Sequence, residues 1–168
     1  MLIRINKFLS SNQISFKVNE NFVIDDEDFL SKTHLHKDIN FIGDIFKVDE
    51  NVVLNGTIKY TFDDECARCL VPFDNTVETK FEAVLTNQVD EDDSESDEIM
   101  LHVTDGCVDL EETIKQMIYL SMPMKSLCKN DCKGICPNCG VNLNIEKCKC
   151  EDNITDPRFD KLKDLLKD

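Results

Sequence analysis

The sequence predicts an α+β fold: an antiparallel curved or barrel-like sheet, one helix packed on it, and a C-terminal Cys-rich zinc module. Three observations predict it. Residues 39–48, 52–62 and 73–86 alternate apolar and polar side chains, with short polar breaks between them. A helical apolar period follows over 109–121. Six of the nine cysteines crowd into residues 128–150. The predicted organisation is a β-rich domain with its helix over 1–122, a zinc-binding module over 123–150 completed by Cys66 and Cys69, and a short C-terminal helix over 151–168.

QISFKVN, residues 13–19, alternates and reads as a strand, and DDEDFLSK, 25–32, as one or two helical turns. INFIGDIFKV, 39–48, leads through the turn-like DEN into VVLNGTIKYTF. There Val52, Leu54, Ile58, Tyr60 and Phe62 fall on one face, and Asn55, Thr57, Lys59 and Thr61 on the other. Such a strand is half-buried and antiparallel. In the next strand Phe73, Val77, Phe81, Ala83 and Leu85 share a face. A three-stranded meander needs a cover for its apolar side, and the segment DLEETIKQMIYLS, 109–121, supplies one. Asp109 is placed to cap this helix, Glu111 and Glu112 suit its positive end, and Pro123 helps to end it. Leu110, Ile114, Met117, Ile118 and Tyr119 lie near one face. In TDPRFDKLKDLLKD, Asp156 and Pro157 start a helix whose Phe159, Leu162, Leu165 and Leu166 form an apolar stripe.

The chain has 168 residues, of which 41% are hydrophobic, enough for a packed core. No apolar run approaches the length of a membrane span, and the N-terminus has no apolar core of a signal peptide. A cytoplasmic protein is expected, with no membrane partner. The formal net charge of −15 makes non-specific nucleic-acid binding a poor default. Residues 88–98, QVDEDDSESDE, read as a solvated acidic loop, or as an arm for a basic partner. Residues 123–150 run the other way: Lys125, Lys129, Lys133, Lys147 and Lys149 face only Asp131 and Glu146. These lysines offset zinc–thiolate charge or form a contact for phosphates.

A reducing compartment disfavours a disulfide framework, and nine is an odd number. The spacings are Cys66-x2-Cys69 and Cys128-x3-Cys132-x3-Cys136-x2-Cys139-x8-Cys148-x-Cys150. Cys107 stands alone and reads as a small buried hydrophobe. The remaining eight suffice for two four-thiolate sites, and zinc suits such closed sites. Cys136-Pro-Asn-Cys139-Gly140 is the most knuckle-like unit, and Cys148 and Cys150 are close enough in sequence to complete it. Cys128 and Cys132 then complete Cys66 and Cys69; the alternative joins Cys66 and Cys69 to Cys136 and Cys139. An iron–sulfur cluster takes the same ligands. A redox use of C-x-x-C lacks the strand and helix context it needs.

No catalytic motif is present: His34, His36 and His102 have no metal spacing, and there is no phosphate-binding loop or nucleophile elbow. A closed four-thiolate site also leaves no position for a reactive water.

Taken in order, LNGTIKYTF, ECARCLVPF, DLEETIKQMIYLSMPMKSLC, CKGICPNCGVNLN, the Cys148–Cys150 pair and DPRFDKLKDL resemble the YceD family of bacterial and plastid proteins. The family is named for large ribosomal RNA subunit accumulation. The resemblance implies a role in producing or maintaining 23S ribosomal RNA, and no enzymatic activity. The expectation is a zinc-stabilised, non-enzymatic ribosome-biogenesis factor that binds a ribosomal protein or a pre-large-subunit particle. The alternative is a thiol-based redox or zinc sensor.

Overall fold

The computed structural model describes residues 1–49, 51–87 and 99–150. The predicted acidic loop at 88–98 and the predicted helix over 151–168 lie outside them. Among the described residues, seven strands form one sheet: β1 (Leu2–Arg4), β2 (Ser15–Val23), β3 (Asp38–Val48), β4 (Asn51–Glu65), β5 (Pro72–Thr86), β6 (Ile99–Thr104) and β7 (Cys107–Asp109). Among the described residues, three helices accompany them: α1 (Asn6–Leu9), α2 (Glu27–Thr33) and α3 (Glu111–Ser121). The strand order is β1-β7-β6-β5-β4-β3-β2. The sheet curls into a half-barrel: residues of its two edge strands, Ile3 and Arg4 of β1 and Lys17 and Val18 of β2, line a single cleft.

The expected sheet was wholly antiparallel; the observed sheet is mixed, because β5 and β6 pair in parallel, Ala83 with Ile99 through Thr86 with His102. A parallel neighbour cannot follow a tight turn and needs a return of roughly a dozen residues. Residues 87–98 occupy that place in the chain. Periodicity within single segments carries no information about such a return.

Alternation forms the central strands. In β4 the buried Leu54, Ile58, Tyr60 and Phe62 interleave with the exposed Asn55 and Lys59. Gly56 sits in the same buried row, opposite Gly43 of β3. A methyl at Gly56 would come within 2.4 Å of the Phe81 ring, so the aromatic ring fills the space a side chain would take. The core joins Ile39, Phe41 and Ile45 of β3 to Ile58 and Tyr60 of β4 and to Ile114 and Ile118 of α3. Each of these large side chains contributes about 1.5–3 kcal/mol by leaving water. The Tyr60 hydroxyl finds partners inside, donating to the Ile118 carbonyl at 3.3 Å and meeting the Ser121 hydroxyl at 2.8 Å. A buried phenol without such partners would be costly.

Helix α3 covers the sheet much as its period predicts, with two differences. Tyr119 is 69% exposed and off the apolar face. Leu110, not Asp109, stands at the N-cap position; the Asp109 carboxylate accepts the Glu111 N–H from one residue further out, at 3.0 Å. Met122 is extended before Pro123, as the proline ring demands of its predecessor. In α2 the Asp26 side chain caps the helix by accepting from Phe29 N–H at 3.0 Å.

Strands β1, β6 and β7 and helix α1 are additional to the elements expected from the sequence. Strands β6 and β7 form a hairpin around Asp105-Gly106, both with positive φ (51° and 67°). Asp-Gly between short apolar runs is a strong hairpin signal, and it was legible. Cys107 consequently lies in a strand and is half-buried.

Candidate metal centres

The β4–β5 hairpin outruns the sheet. Its last pair is Glu65 with Pro72, and its end carries Cys66 and Cys69. This end captures the segment that follows α3. Ala67 N–H donates to the Ser126 carbonyl at 2.9 Å, and the Asn75 amide donates to the buried Ser126 hydroxyl at 2.9 Å. The Arg68 guanidinium donates to the Cys132 carbonyl at 2.8 Å, and Ile135 N–H donates to the Arg68 carbonyl at 3.0 Å. Gly134 passes so close that a side chain there would sit 3.0 Å from the Arg68 carbonyl oxygen.

Two four-sulfur groups result. Cys66, Cys69, Cys128 and Cys132 form the first; Cys136, Cys139, Cys148 and Cys150 form the second, and within each the sulfurs all lie within 4.8 Å of one another. The alternative that joined Cys66 and Cys69 to Cys136 and Cys139 is not the arrangement seen. Cys107 belongs to neither group. The sulfurs are too far apart to be disulfides: Cys66 to Cys132 is 3.7 Å, Cys69 to Cys128 and Cys139 to Cys148 are 3.6 Å, and Cys148 to Cys136 is 3.2 Å. A tetrahedron with metal–sulfur bonds of about 2.3 Å has edges of about 3.8 Å. The donor set and its spacing therefore fit a single ion per group, and the two four-cysteine groups could hold two metal ions.

The same turn builds one half of each site. Cys66 N–H donates to the Val71 carbonyl at 3.0 Å, and Leu70 N–H to the Cys66 carbonyl at 2.9 Å. Cys136 N–H donates to the Val141 carbonyl at 2.8 Å, and Gly140 N–H to the Cys136 carbonyl at 2.9 Å. The fifth residue of each turn is left-handed, Leu70 at φ 57° and Gly140 at φ 71°. Glycine adopts this conformation freely, whereas leucine is strained there. The equivalence of the two turns was not read from the sequence, because Leu70 hides it.

The knuckle amides set the thiol acidities. The Cys128 N–H, against the opposing effect of burial and with help from the Arg68 and Cys69 N–H groups, draws the Cys66 thiol down to about 6. The N–H groups of Cys139 and Asn138 draw Cys136 down to about 6. Their neighbours move the other way. Burial and the sulfurs of Cys69, Cys66 and Cys132 push Cys128 up to about 12. The sulfurs of Cys148 and Cys139 push Cys150 up to about 12. The Val71 N–H works against it, but burial and the Cys66 sulfur leave Cys69 raised. The Cys150 N–H likewise works against it, but Cys148 stays raised beside the Cys136 sulfur. Close-packed thiolates repel, so without a cation each group keeps protons.

The sites differ in exposure. In the first, Cys66, Cys69 and Cys132 are buried and Cys128 is half-buried, in a small core with Phe73 and Leu127. In the second only Cys136 is buried, and Cys139 is exposed. Lys125, Lys129, Lys133, Lys147 and Lys149 are all exposed around them. His34 and His102 are exposed, and the half-buried His36 bonds Asp63 at 2.9 Å.

Residues 54–166 match the family described as large ribosomal RNA subunit accumulation protein YceD. The chain belongs to the YceD family. An uncharacterised protein of Mycobacterium tuberculosis is 35% identical over 121 residues, 71% of this chain and 58% of that protein. One from Mycobacterium leprae is 31% identical over 134 residues, 76% of this chain and 59% of its own length. The chain thus spans less than two thirds of the length of these curated relatives. The chloroplastic large ribosomal RNA subunit accumulation protein YCED homolog 1 of Arabidopsis thaliana is 37% identical over 43 residues, 26% of this chain and 13% of that protein. No solved structure matches the chain. Among the described residues, no helix is long and apolar enough to cross a membrane.

Proposed function

We propose that this chain is a non-enzymatic, zinc-stabilised factor in ribosome biogenesis, which supports accumulation of large-subunit 23S ribosomal RNA. The observation that carries the reading is the family match over 54–166, a span that includes both four-cysteine groups. Its partner is a ribosomal protein or a pre-large-subunit particle. The exposed Lys125, Lys129, Lys133, Lys147 and Lys149 offer a cationic surface to ribosomal RNA in a chain whose net charge is −15. Zinc would be held by Cys66, Cys69, Cys128 and Cys132 in one site and by Cys136, Cys139, Cys148 and Cys150 in the other. It would supply a structural cross-link between the hairpin end and the segment after α3.

Two measurements test this reading. Metal analysis of the purified chain should find two zinc ions per molecule. Sucrose-gradient sedimentation of tagged protein from growing cells should place it with immature large subunits. A chain that stays at the top of the gradient, free of ribosomal RNA and ribosomal proteins, would overturn the assembly role. The exposure of Cys139 favours a second reading, a thiol or zinc sensor, for the second site only. Reversible zinc loss under mild oxidant, with changed partner binding, would be its mark.

A further inference from the structure

Asn144 lies between the two sulfur groups and belongs to neither. It sits on the loop between Cys139 and Cys148, which the second group closes. Its side chain reaches the first group: Nδ2 donates to the Cys132 Sγ at 3.3 Å. Both ends of the amide are fixed. Oδ1 accepts the Lys133 backbone N–H at 2.9 Å, and Nδ2 also donates to Asn142 Oδ1 at 2.9 Å. The Asn144 backbone N–H donates to that same Asn142 oxygen at 2.9 Å. Turning the amide over would set two N–H groups against each other at Lys133 and an oxygen against the sulfur, so the donor must face Cys132.

The loop has a defined path between the sites. Asn142 bridges to Ile135, Leu143 N–H donates to the Gly134 carbonyl at 2.9 Å, and Ile135 N–H donates to the Arg68 carbonyl. A contiguous hydrogen-bonded strip thus runs from the second group's loop to the hairpin that carries the first. A donor to a metal-bound thiolate disperses its charge and holds its orientation, and such outer contacts govern metal affinity and release.

We propose that Asn144 is a positioning residue that couples the two metal sites: closure of the loop by a metal at the second site holds a hydrogen-bond donor on a ligand of the first. The inference rests on the reading that both groups bind zinc. The second site, being more exposed, exchanges its ion first. Its emptying slackens the loop, removes the donor from Cys132 and loosens the first ion. Coupling between binding equilibria is reciprocal, so an ion in the first site also favours one in the second.

The test uses the full chain loaded with isotopically labelled zinc and held in excess unlabelled zinc, so that the second site stays occupied while release of the label is followed in time. Wild-type protein should release two ions in two phases, the slow one from the first site. Asn144→Ala should accelerate the slow phase about 10-fold or more. Asn144→Asp keeps the acceptor for Lys133 N–H but has no donor for sulfur, and should accelerate it at least as much. A slow phase that Asn144→Asp leaves at the wild-type rate, while Asn144→Ala hastens it, would show only a loop staple and overturn the proposal. Cys148→Ser, which breaks the second site, should also hasten release from the first. Adding Asn144→Ala to it should then change little, because both remove the same contact. Additive effects would overturn the coupling. A wild-type chain that binds fewer than two ions would overturn the zinc reading itself. Two ions with an unchanged slow phase in both Asn144 variants would overturn the role of Asn144 alone.

Discussion

Around β4 and α3, Ile58, Ile114 and Ile118 are fully withdrawn from water against other apolar side chains. Between Cys128 and Cys150, the buried residues are Cys132, Gly134 and Cys136, while Ile145 is 77% exposed. The half-barrel is held by area removed from water. The Cys-rich segment has too little apolar area for that, and its hydrogen bonds to the β4–β5 hairpin end in sulfurs that repel one another when ionised. A region without its own core is held by cross-links or by a metal.

The largest expected effect separates the two regions. Stripping metal with a strong chelator should release the segment from 123 to 150 and leave the half-barrel folded, since structural zinc supplies about 10–16 kcal/mol of apparent binding energy. Hydrogen exchange should show protection lost at Ile135 and Leu143 N–H and retained in β3 and β4. Uniform loss across both regions would break the comparison. In the opposite direction, Phe41→Ala should destabilise the half-barrel by about 3–5 kcal/mol, read from denaturant unfolding, because its ring fills the space over Gly43 and Gly56.

Acid should act on the Cys-rich region first. Without metal, Cys69 and Cys128 in one site and Cys148 and Cys150 in the other have raised thiol pKa values and carry protons at neutral pH. The metal-bound state has given these protons up, so lower pH favours release. Apparent affinity at each site should fall by at least about 100-fold per pH unit, since at least these two protons are displaced. The fall should steepen below about 6, where Cys66 and Cys136 also take up protons. Competition titrations at three pH values check the slope, and a flat profile would contradict the assigned ligands.

A smaller pair of effects compares the two knuckles. Gly140→Ala should destabilise the second site by about 1–2 kcal/mol, since a Cβ disfavours its left-handed backbone. Leu70→Gly should have the opposite sign at the first, a gain of roughly 0.5 kcal/mol once the extra freedom of the unfolded glycine is subtracted. Thermal unfolding of zinc-loaded variants measures both. Smallest of all should be Lys115→Ala, which removes contacts at 3.1–3.3 Å to Asp26, Glu111 and Glu112; the lysine side chain is only 12% exposed, but its carboxylate partners are 40–81% exposed and can return to water. A loss of at most about 1 kcal/mol is expected in a denaturant titration.

Much of this was legible in the residues. Alternation from Ile39 to Leu85 located the three central strands, because a sheet with one buried face must repeat every second residue. The spacing of eight cysteines pointed to two sites, because thiolates at such intervals can turn toward one ion. The short elements were harder. Strands β1 and β7 have three residues each, too few to show a period. The parallel placement of β6 beside β5 depends on a path through space that no local pattern records.

What the sequence determined by itself was which residues seek an apolar interior and which seek a metal, since both preferences reside in the side chains. Only the tertiary structure decided between the two pairings open to Cys66 and Cys69, in favour of Cys128 and Cys132, and brought Asn144 to a sulfur of the other site. Those are meetings between distant segments. They depend on the length of a hairpin and the curl of a sheet, which are set by the packing of the whole chain.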